Sequence, residues 1–385
     1  MKKLAQRISQ IVPSASMAMA QKIKACNQDR KIIDLTWGQP DFDTPEHVKE
    51  AAFDAIRAGK NGYTNSSGIP ELRSAIADFH ASRDGTVYDP RTEVLVTPGA
   101  KQGLMYLIQT LIEPGDEVIL FEPCWLSYRD MILLNGGIPV FIPSQKDLTP
   151  DLSALENAIG RKTKAILLNN PVNPSGYIFK EEELKCIARI AEFHDLYIIS
   201  DEIYDRIVFT QCTSFSEFKD IRSRLLIANG FSKAYAMTGW RIGYLLGPPE
   251  IISKVGLIHQ HTATCAAAPS QYAALAALQG SQELVENMAR IYKERRDFMV
   301  NELGNTSFPI VPPDGTFYAM LDASCLRAGT ESAERLLTEY GIASVDGSCY
   351  GISAEGFVRL SLTKDEVKLK EACARLRKVG YGTQS

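Results

Sequence analysis

No C-x-x-C pair occurs in this sequence. Its eight cysteines, Cys26, Cys124, Cys186, Cys212, Cys265, Cys325, Cys349 and Cys373, stand singly, which excludes a dense disulfide framework or a cysteine zinc site and fits a reducing compartment. Nowhere does an apolar run approach the roughly 18 uninterrupted residues that a spanning helix needs. The first residues include two lysines, but Gln, Arg and Ser then interrupt the apolar positions, so no signal-peptide core forms. A cytoplasmic protein without membrane association is expected. Excess charge of either sign is missing too: 42 basic residues against 46 acidic ones give a formal charge of -4. Without a basic block to displace counterions, nucleic acid is not an expected partner. G-x-G-x-x-G after a strand, the P-loop, H-E-x-x-H and G-x-S-x-G are all absent, which removes support for a dinucleotide dehydrogenase, a P-loop NTPase, a zinc protease and a serine hydrolase. His259 and His261 form an H-x-H, but on a helix their rings point to different sides and no third ligand is near in sequence. Packing or surface roles are expected for them.

What is present is a packed globular chain of 385 residues, 45% hydrophobic and 23% charged. That length exceeds the roughly 250 to 300 residues at which single cores stop growing, so two domains are expected. From Thr92 onward short apolar runs alternate with segments of helical period, the pattern of a parallel sheet with helical crossovers. Strands are expected at 94–97, 117–121, 138–142, 164–168, 196–200, 225–229 and 242–246, several apolar on both faces as in a sheet covered on both sides. Helices are expected over 152–159, after Thr149-Pro150-Asp151, and over 181–195, after Pro174-Ser175-Gly176. Past about Ser281 a charged helix over 283–303 leads to prolines and to strands near 316–321 and 357–362. The expectation is therefore an α/β protein with a mostly parallel seven-stranded sheet in a large domain, 45–282, and a smaller α+β domain built from 1–44 and 283–385.

Polar residues cluster where the strands end. In open α/β sheets ligands bind outside the carboxyl ends of strands, and four such ends carry unusual residues. Thr97-Pro98-Gly99-Ala100-Lys101 opens a helix; Asn169-Asn170-Pro171-Val172-Asn173 follows the fourth strand; Asp201-Glu202-Ile203-Tyr204 the fifth; Asn229-Gly230-Phe231-Ser232-Lys233 the sixth. Singly each has a bland reading: a tight turn, a helix cap, a turn residue, a solvated charge. Jointly they describe a site for a flat phosphorylated aromatic aldehyde. A helix start would take the phosphate, a carboxylate the ring N–H, a phenol the phenolate and a lysine the imine.

The stretch Gly230-Phe231-Ser232-Lys233-Ala234-Tyr235-Ala236-Met237-Thr238-Gly239-Trp240-Arg241-Ile242-Gly243 resembles, along its whole length, the pyridoxal-phosphate attachment signature of class I and II aminotransferases. The similarity runs from Leu35-Thr36-Trp37-Gly38-Gln39-Pro40 through Gly68-Ile69-Pro70-Glu71-Leu72-Arg73 to Phe357-Val358-Arg359-Leu360-Ser361 and is closest to the bacterial aspartate and aromatic branch. It implies fold type I and pyridoxal 5'-phosphate as cofactor. It further implies that Lys233 forms the imine and moves the proton at Cα, that Asp201 pairs with the ring nitrogen, and that Tyr204 and Asn173 contact the 3'-oxygen. Trp125 would stack on the ring. The phosphate would be held by the amides of Ala100 and Lys101, by Ser232 and by Arg241. Arg359 would grip the substrate carboxylate and Gly38 close over it, with Trp125 and Asn173 also facing the substrate. Tyr63 matches the tyrosine that reaches a neighbouring subunit's phosphate, implying a homodimer.

Three positions depart from the family pattern: Val172 and Asp346, both expected to flank the substrate side, and Val12, where relatives acting on dicarboxylates can carry lysine. Lys101 remains as a partner for a distal carboxylate. The expected reaction is ping-pong exchange of an amino group between an L-amino acid and a 2-oxo acid. Elimination, cyclisation or oxidation on the same scaffold would use the same residues, because the shared step is a Cα carbanion. A non-catalytic effector module is disfavoured, since a DNA-binding domain is expected ahead of that fold and little chain precedes Trp37.

Overall fold

The computed structural model describes residues 4–13, 19, 21–24, 31–326 and 332–378; Cys26 lies outside them. After a short strand β1 (Ile33–Asp34) come the strands of the large sheet: β2 (Val94–Thr97), β3 (Glu117–Phe121), β4 (Ile138–Ile142), β5 (Thr163–Asn169), β6 (Tyr197–Asp201), β7 (Leu225–Gly230) and β8 (Gly243–Leu246). Their order is β2-β8-β7-β6-β5-β3-β4, and β8 alone runs antiparallel to its neighbours. The seven expected strands are all present, with bounds moved by one residue at most at either end.

Side chains alternate between the two faces of this sheet. Val94, Val96, Ile119, Ile166, Ile198 and Ile227 join one core, under the helices 46–57, 70–84, 181–193 and 268–279. Leu95, Val118, Leu120, Leu167, Ile199 and Leu226 join the other, under the helices 100–111, 127–134 and 249–262. Both faces being covered explains why the strands read as continuous apolar runs. Only β4, at the sheet edge, exposes Ile138 and Phe141.

A second, antiparallel sheet has the order β12-β13-β10-β9, from β9 (Ile310–Val311), β10 (Tyr318–Asp322), β12 (Val345–Asp346) and β13 (Phe357–Ser361). The strand β11 (Ile342–Ala343) pairs instead with β1 in parallel. Leu35 is fully buried among Leu321, Leu336, Val358, Leu360 and Leu369, a core that also takes Tyr204 and Ile207 from the loop after β6. The helix Glu283–Leu303 buries Val285, Met288, Tyr292, Met299 and Leu303 along one stripe.

Two helix expectations need correction. The 152–159 segment is a 3-10 turn at Leu152–Ala154 followed by one α turn at Leu155–Ala158, although Asp151 does cap it by accepting from the Ser153 amide at 3.1 Å. The helix Glu181–Phe193 begins at Lys180, where Glu183 accepts from the Lys180 amide at 2.7 Å. Ser175-Gly176 belongs to an earlier turn. Gly176 has φ 71°, and a Cβ there would sit 2.3 Å from Pro313.

Candidate active site

The parallel register lines up the strand ends that matter. Asn169 at the end of β5 stands beside Asp201 at the end of β6, and Asp201 beside Ala228 of β7; Thr97 of β2 pairs with Gly243 of β8, and Gly243 with Gly230 of β7. Two rows two residues apart on β7 thus bring together the start of the helix Ala100–Leu111 and the segments leading to Asp201, Ser232 and Lys233. Above it lies a cavity of about 420 Å³, within the range of small-molecule sites.

Of the residues expected to act, Gly38, Ala100, Lys101, Trp125, Asn173, Asp201, Tyr204, Ser232, Lys233, Arg241 and Arg359 all line this cavity. Tyr63 does not; it is 89% exposed on the turn before Gly68. Val172 and Asp346 are absent from the lining as well, which corrects their placement. Val172 packs into the core beneath β5, and Asp346 caps a 3-10 turn by accepting from the Ser348 amide at 3.0 Å. Val12 is exposed. His259 is buried with its Nδ1 3.4 Å from the Tyr106 hydroxyl, and among the described residues no group of ligating side chains could hold a metal.

The helix start is shaped for an anion. The first amides of the helix, at Ala100 and Lys101, have no carbonyl one turn back to bond. Gly99 adopts φ 84°, and a Cβ there would meet the Arg241 guanidinium at 2.6 Å. Arg241 therefore lies directly against this turn, braced by donating to the Thr238 carbonyl at 2.9 Å.

Asp201 is buried, accepting from the Tyr128 hydroxyl at 2.6 Å and from the Ile203 amide at 3.2 Å. Burial pushes its carboxyl up to about 6, against the pull of those two donors and of the Lys233 charge. Lys233 donates to the Gly38 carbonyl at 2.5 Å. Burial, then the Arg359 and Arg241 guanidinium groups, push its ammonium down to about 8, so a neutral nucleophilic amine is accessible near neutral pH. Tyr204 approaches the Tyr318 hydroxyl at 3.4 Å, and burial holds its phenol well above the usual range.

Arg359 is buried between the rings of Tyr318 (4.1 Å) and Tyr350 (5.2 Å). It donates to Asn173 Oδ1 and to the Thr36 carbonyl, both at 3.1 Å, and its Nε has no partner. Sequence reasoning missed Tyr128, Asn169 and Tyr318 as site residues. Asn169 braces the floor by donating to the Asp201 carbonyl at 2.7 Å and accepting from the Asn173 amide at 2.7 Å; its place in the quoted Asn-Asn-Pro run was the available signal.

A phosphate-shaped helix start, a buried carboxylate and a lysine of lowered basicity within one cavity fit a phosphorylated pyridine aldehyde. Together with the sheet order they define a fold type I enzyme that works through pyridoxal phosphate. Residues 30–376 match the family model described as aminotransferase class I and II. The chain is 38% identical to the aspartate/prephenate aminotransferase of Thermus thermophilus, over 98% of this chain and 99% of that one. It is 39% identical to the aspartate aminotransferase of Thermotoga maritima, over 97% and 98%. The solved structure of the Thermus thermophilus aspartate aminotransferase with maleate superposes with a TM-score of 0.93 at 38% identity, covering 98% of this chain and 100% of that one. This chain belongs to the class I and II aminotransferases and is a pyridoxal-phosphate-dependent aminotransferase. None of its described helices is long and apolar enough to cross a membrane.

Proposed function

We propose that the protein exchanges an amino group between an L-amino acid and a 2-oxo acid in two half-reactions of a ping-pong cycle, with Lys233 as the carrier lysine. The observation that carries this is Arg359: a buried guanidinium with no carboxylate partner among the described residues, facing the same cavity as the Lys233 amine. A buried cation without a counter-ion is costly, and a substrate carboxylate would supply one while fixing two oxygens in a plane. When bound, pyridoxal phosphate supplies an aldehyde that accepts the amino group and a ring that withdraws electrons from the substrate's Cα.

The chain's own residues would do the rest. The amides of Ala100 and Lys101, the Ser232 hydroxyl and Arg241 hold the phosphate. Asp201 would pair with the ring nitrogen, Trp125 would cover a ring face, and Tyr204 with Asn173 would meet the 3'-oxygen. Lys233, whose amine faces the cavity, would hold the aldehyde end of the cofactor and carry the proton to and from the substrate's Cα. Gly38 would close over the substrate; a Cβ there would stand 2.9 Å from the Tyr318 hydroxyl, so any side chain would crowd that hydroxyl.

Residues 45–282 are proposed as the cofactor-binding domain, with 1–44 and 283–385 as the small domain, a division supported by the pairing of β1 with β11 and by the place of Leu35 in the second core. A homodimer in a reducing, cytoplasmic setting completes the reading. For the donor, an acidic amino acid is supported by relatives named for aspartate and by the Lys101 ammonium, which lies 4.7 Å over the Trp125 ring in the cavity. Lys101→Ala should then raise KM for aspartate far more than for an aromatic amino acid. The test of the whole reading is to mix the holoenzyme with twenty amino acids, follow the cofactor absorbance and analyse products. A 2-oxo acid and aminated cofactor are expected; an eliminated or cyclised product would overturn transamination.

A further inference from the structure

Tyr128 follows Trp125 by three residues, at the start of the helix Ser127–Leu134, and the two rings meet edge-on with centroids 5.2 Å apart. Trp125 is half-buried and lines the cavity, while Tyr128 is 1% exposed. Its hydroxyl, 2.6 Å from Asp201 Oδ2, is the only side-chain donor to that carboxylate among the described residues; Oδ1 takes the Ile203 amide. The charged or titratable groups around the pair are Lys233 from the segment after β7, Asp205 and Tyr204 from the loop after β6, and Cys124 beside the phenol. Of these only Lys233 is a cation.

A carboxylate so enclosed gains a proton readily. Set against a pyridine nitrogen, the pair holds one proton in either of two places, as pyridinium with carboxylate or as pyridine with carboxylic acid. A phenol donating to Oδ2 forms a charge-assisted bond with the carboxylate and a weaker one with the acid. We propose that Tyr128 is a positioning residue for the reaction, its hydroxyl keeping Asp201 ionised so that the shared proton stays on the cofactor's ring nitrogen. The proposal rests on Asp201 being the ring-nitrogen partner.

The test is nitrogen NMR of holoenzyme loaded with pyridoxal phosphate carrying 15N in the ring, with kinetics in parallel. The wild-type nitrogen should give the protonated signal at neutral pH. Tyr128→Phe, which removes one oxygen, should move that signal toward the unprotonated position and lower kcat about tenfold or more, with KM for the amino acid changed by less than about threefold. An unmoved nitrogen signal in Tyr128→Phe overturns the proposal. Tyr128→His, which returns a ring N–H donor, should recover part of the protonated signal; a histidine variant no better than the phenylalanine one also overturns it. Asp201→Asn separates the two readings. If its nitrogen stays protonated, the assignment of Asp201 fails by itself; if it is unprotonated, adding Tyr128→Phe should cause no further change in signal or kcat. A second, equal loss in the double variant would mark a merely structural role and overturn the proposal.

Discussion

Lys233 carries the sharpest residue-scale prediction. Lys233→Ala should leave a folded protein that still takes up pyridoxal phosphate without a covalent link, because Asp201, Ser232 and Arg241 are untouched, while turnover falls to background. Near-normal turnover would refute its role. The amine's depressed basicity makes a second claim. An ammonium pushed down to about 8 is mostly charged below that pH and mostly free amine above it, so the rate at which apoenzyme couples to the aldehyde should rise through about pH 8 and then level off. Stopped-flow absorbance reads this; a rate still climbing toward pH 10 would mean that the environment does not depress the amine. Glu202, next to Asp201, titrates in the opposite sense. Its carboxyl accepts from Ser200 and Ser214, and burial pushes it up to about 7 although Arg83 pulls it down. A folded-state value above the unfolded one means that the carboxyl contributes stability below the ordinary carboxylate range and that this is lost as pH climbs through about 7. Glu202→Gln cannot ionise, so urea midpoints should favour the variant increasingly between pH 5 and 8; a pH-independent gap would contradict this. Lys233, Asp201 and Arg359 were legible because a contiguous motif or an apolar run singled them out. Tyr128 and Asn169 were not, since their partner Asp201 lies 73 and 32 positions away; the Asn-Asn-Pro run marked Asn169 as unusual, but no local signal marked either contact with Asp201.

The elements themselves followed from pattern wherever burial was symmetric. Strands such as β7, buried at every position, read as one apolar run up to the polar Asn229 near the end, so their bounds shift by a residue at most. The 152–159 segment misled because Leu152, Leu155 and Ile159 mimic helical spacing, yet only Leu155 is buried, so packing gives too little to extend one turn into a helix. Val172 misled differently. Its neighbours Asn169 and Asn173 face the cavity while Val172, its amide donating to the Tyr177 carbonyl at 2.8 Å, turns into the core. The helix start at Ala100 depends on an element beside it: a Cβ on Gly243 of β8 would stand 2.5 Å from the Ala100 amide nitrogen and 2.8 Å from the Asn229 carbonyl. Backbone on both sides cannot yield as a side-chain end would. Gly243→Ala should therefore cost about 1 to 3 kcal/mol of stability and weaken cofactor retention by at least about tenfold, since a shift at the helix start misaims its amides. Equilibrium dialysis and thermal melts read the two effects. An alanine variant with unchanged cofactor affinity would show that the turn tolerates the displacement.

At the scale of the molecule, the cavity is assembled from both cores: Asp201 and Lys233 follow strands of the large sheet, Arg359 lies on β13 of the small one, and Tyr204 is buried between them. One expected ligand remains outside. Tyr63 is 89% exposed, yet the turn that bears it is held firmly, with Gln271 donating to Thr64 Oγ1 at 2.9 Å and Gly68, at φ 104°, pressed against Val96. The Tyr63 ring is projected into solvent, and the N-terminal 3-10 turn Gln6–Gln10 likewise buries nothing. The proposed homodimer would cover the Tyr63 ring, with its hydroxyl reaching the phosphate bound to the second copy. Binding would then couple cofactor and assembly, each stabilising the other. Tyr63→Phe should weaken cofactor affinity by about ten- to a hundredfold, the worth of a hydrogen bond to a charged group, while sedimentation still finds a dimer at micromolar concentration. Dilution should lower the cofactor occupancy of the wild type in step with its dissociation. A fully active monomer, or an affinity indifferent to the Tyr63 hydroxyl, would require every phosphate ligand to come from a single chain.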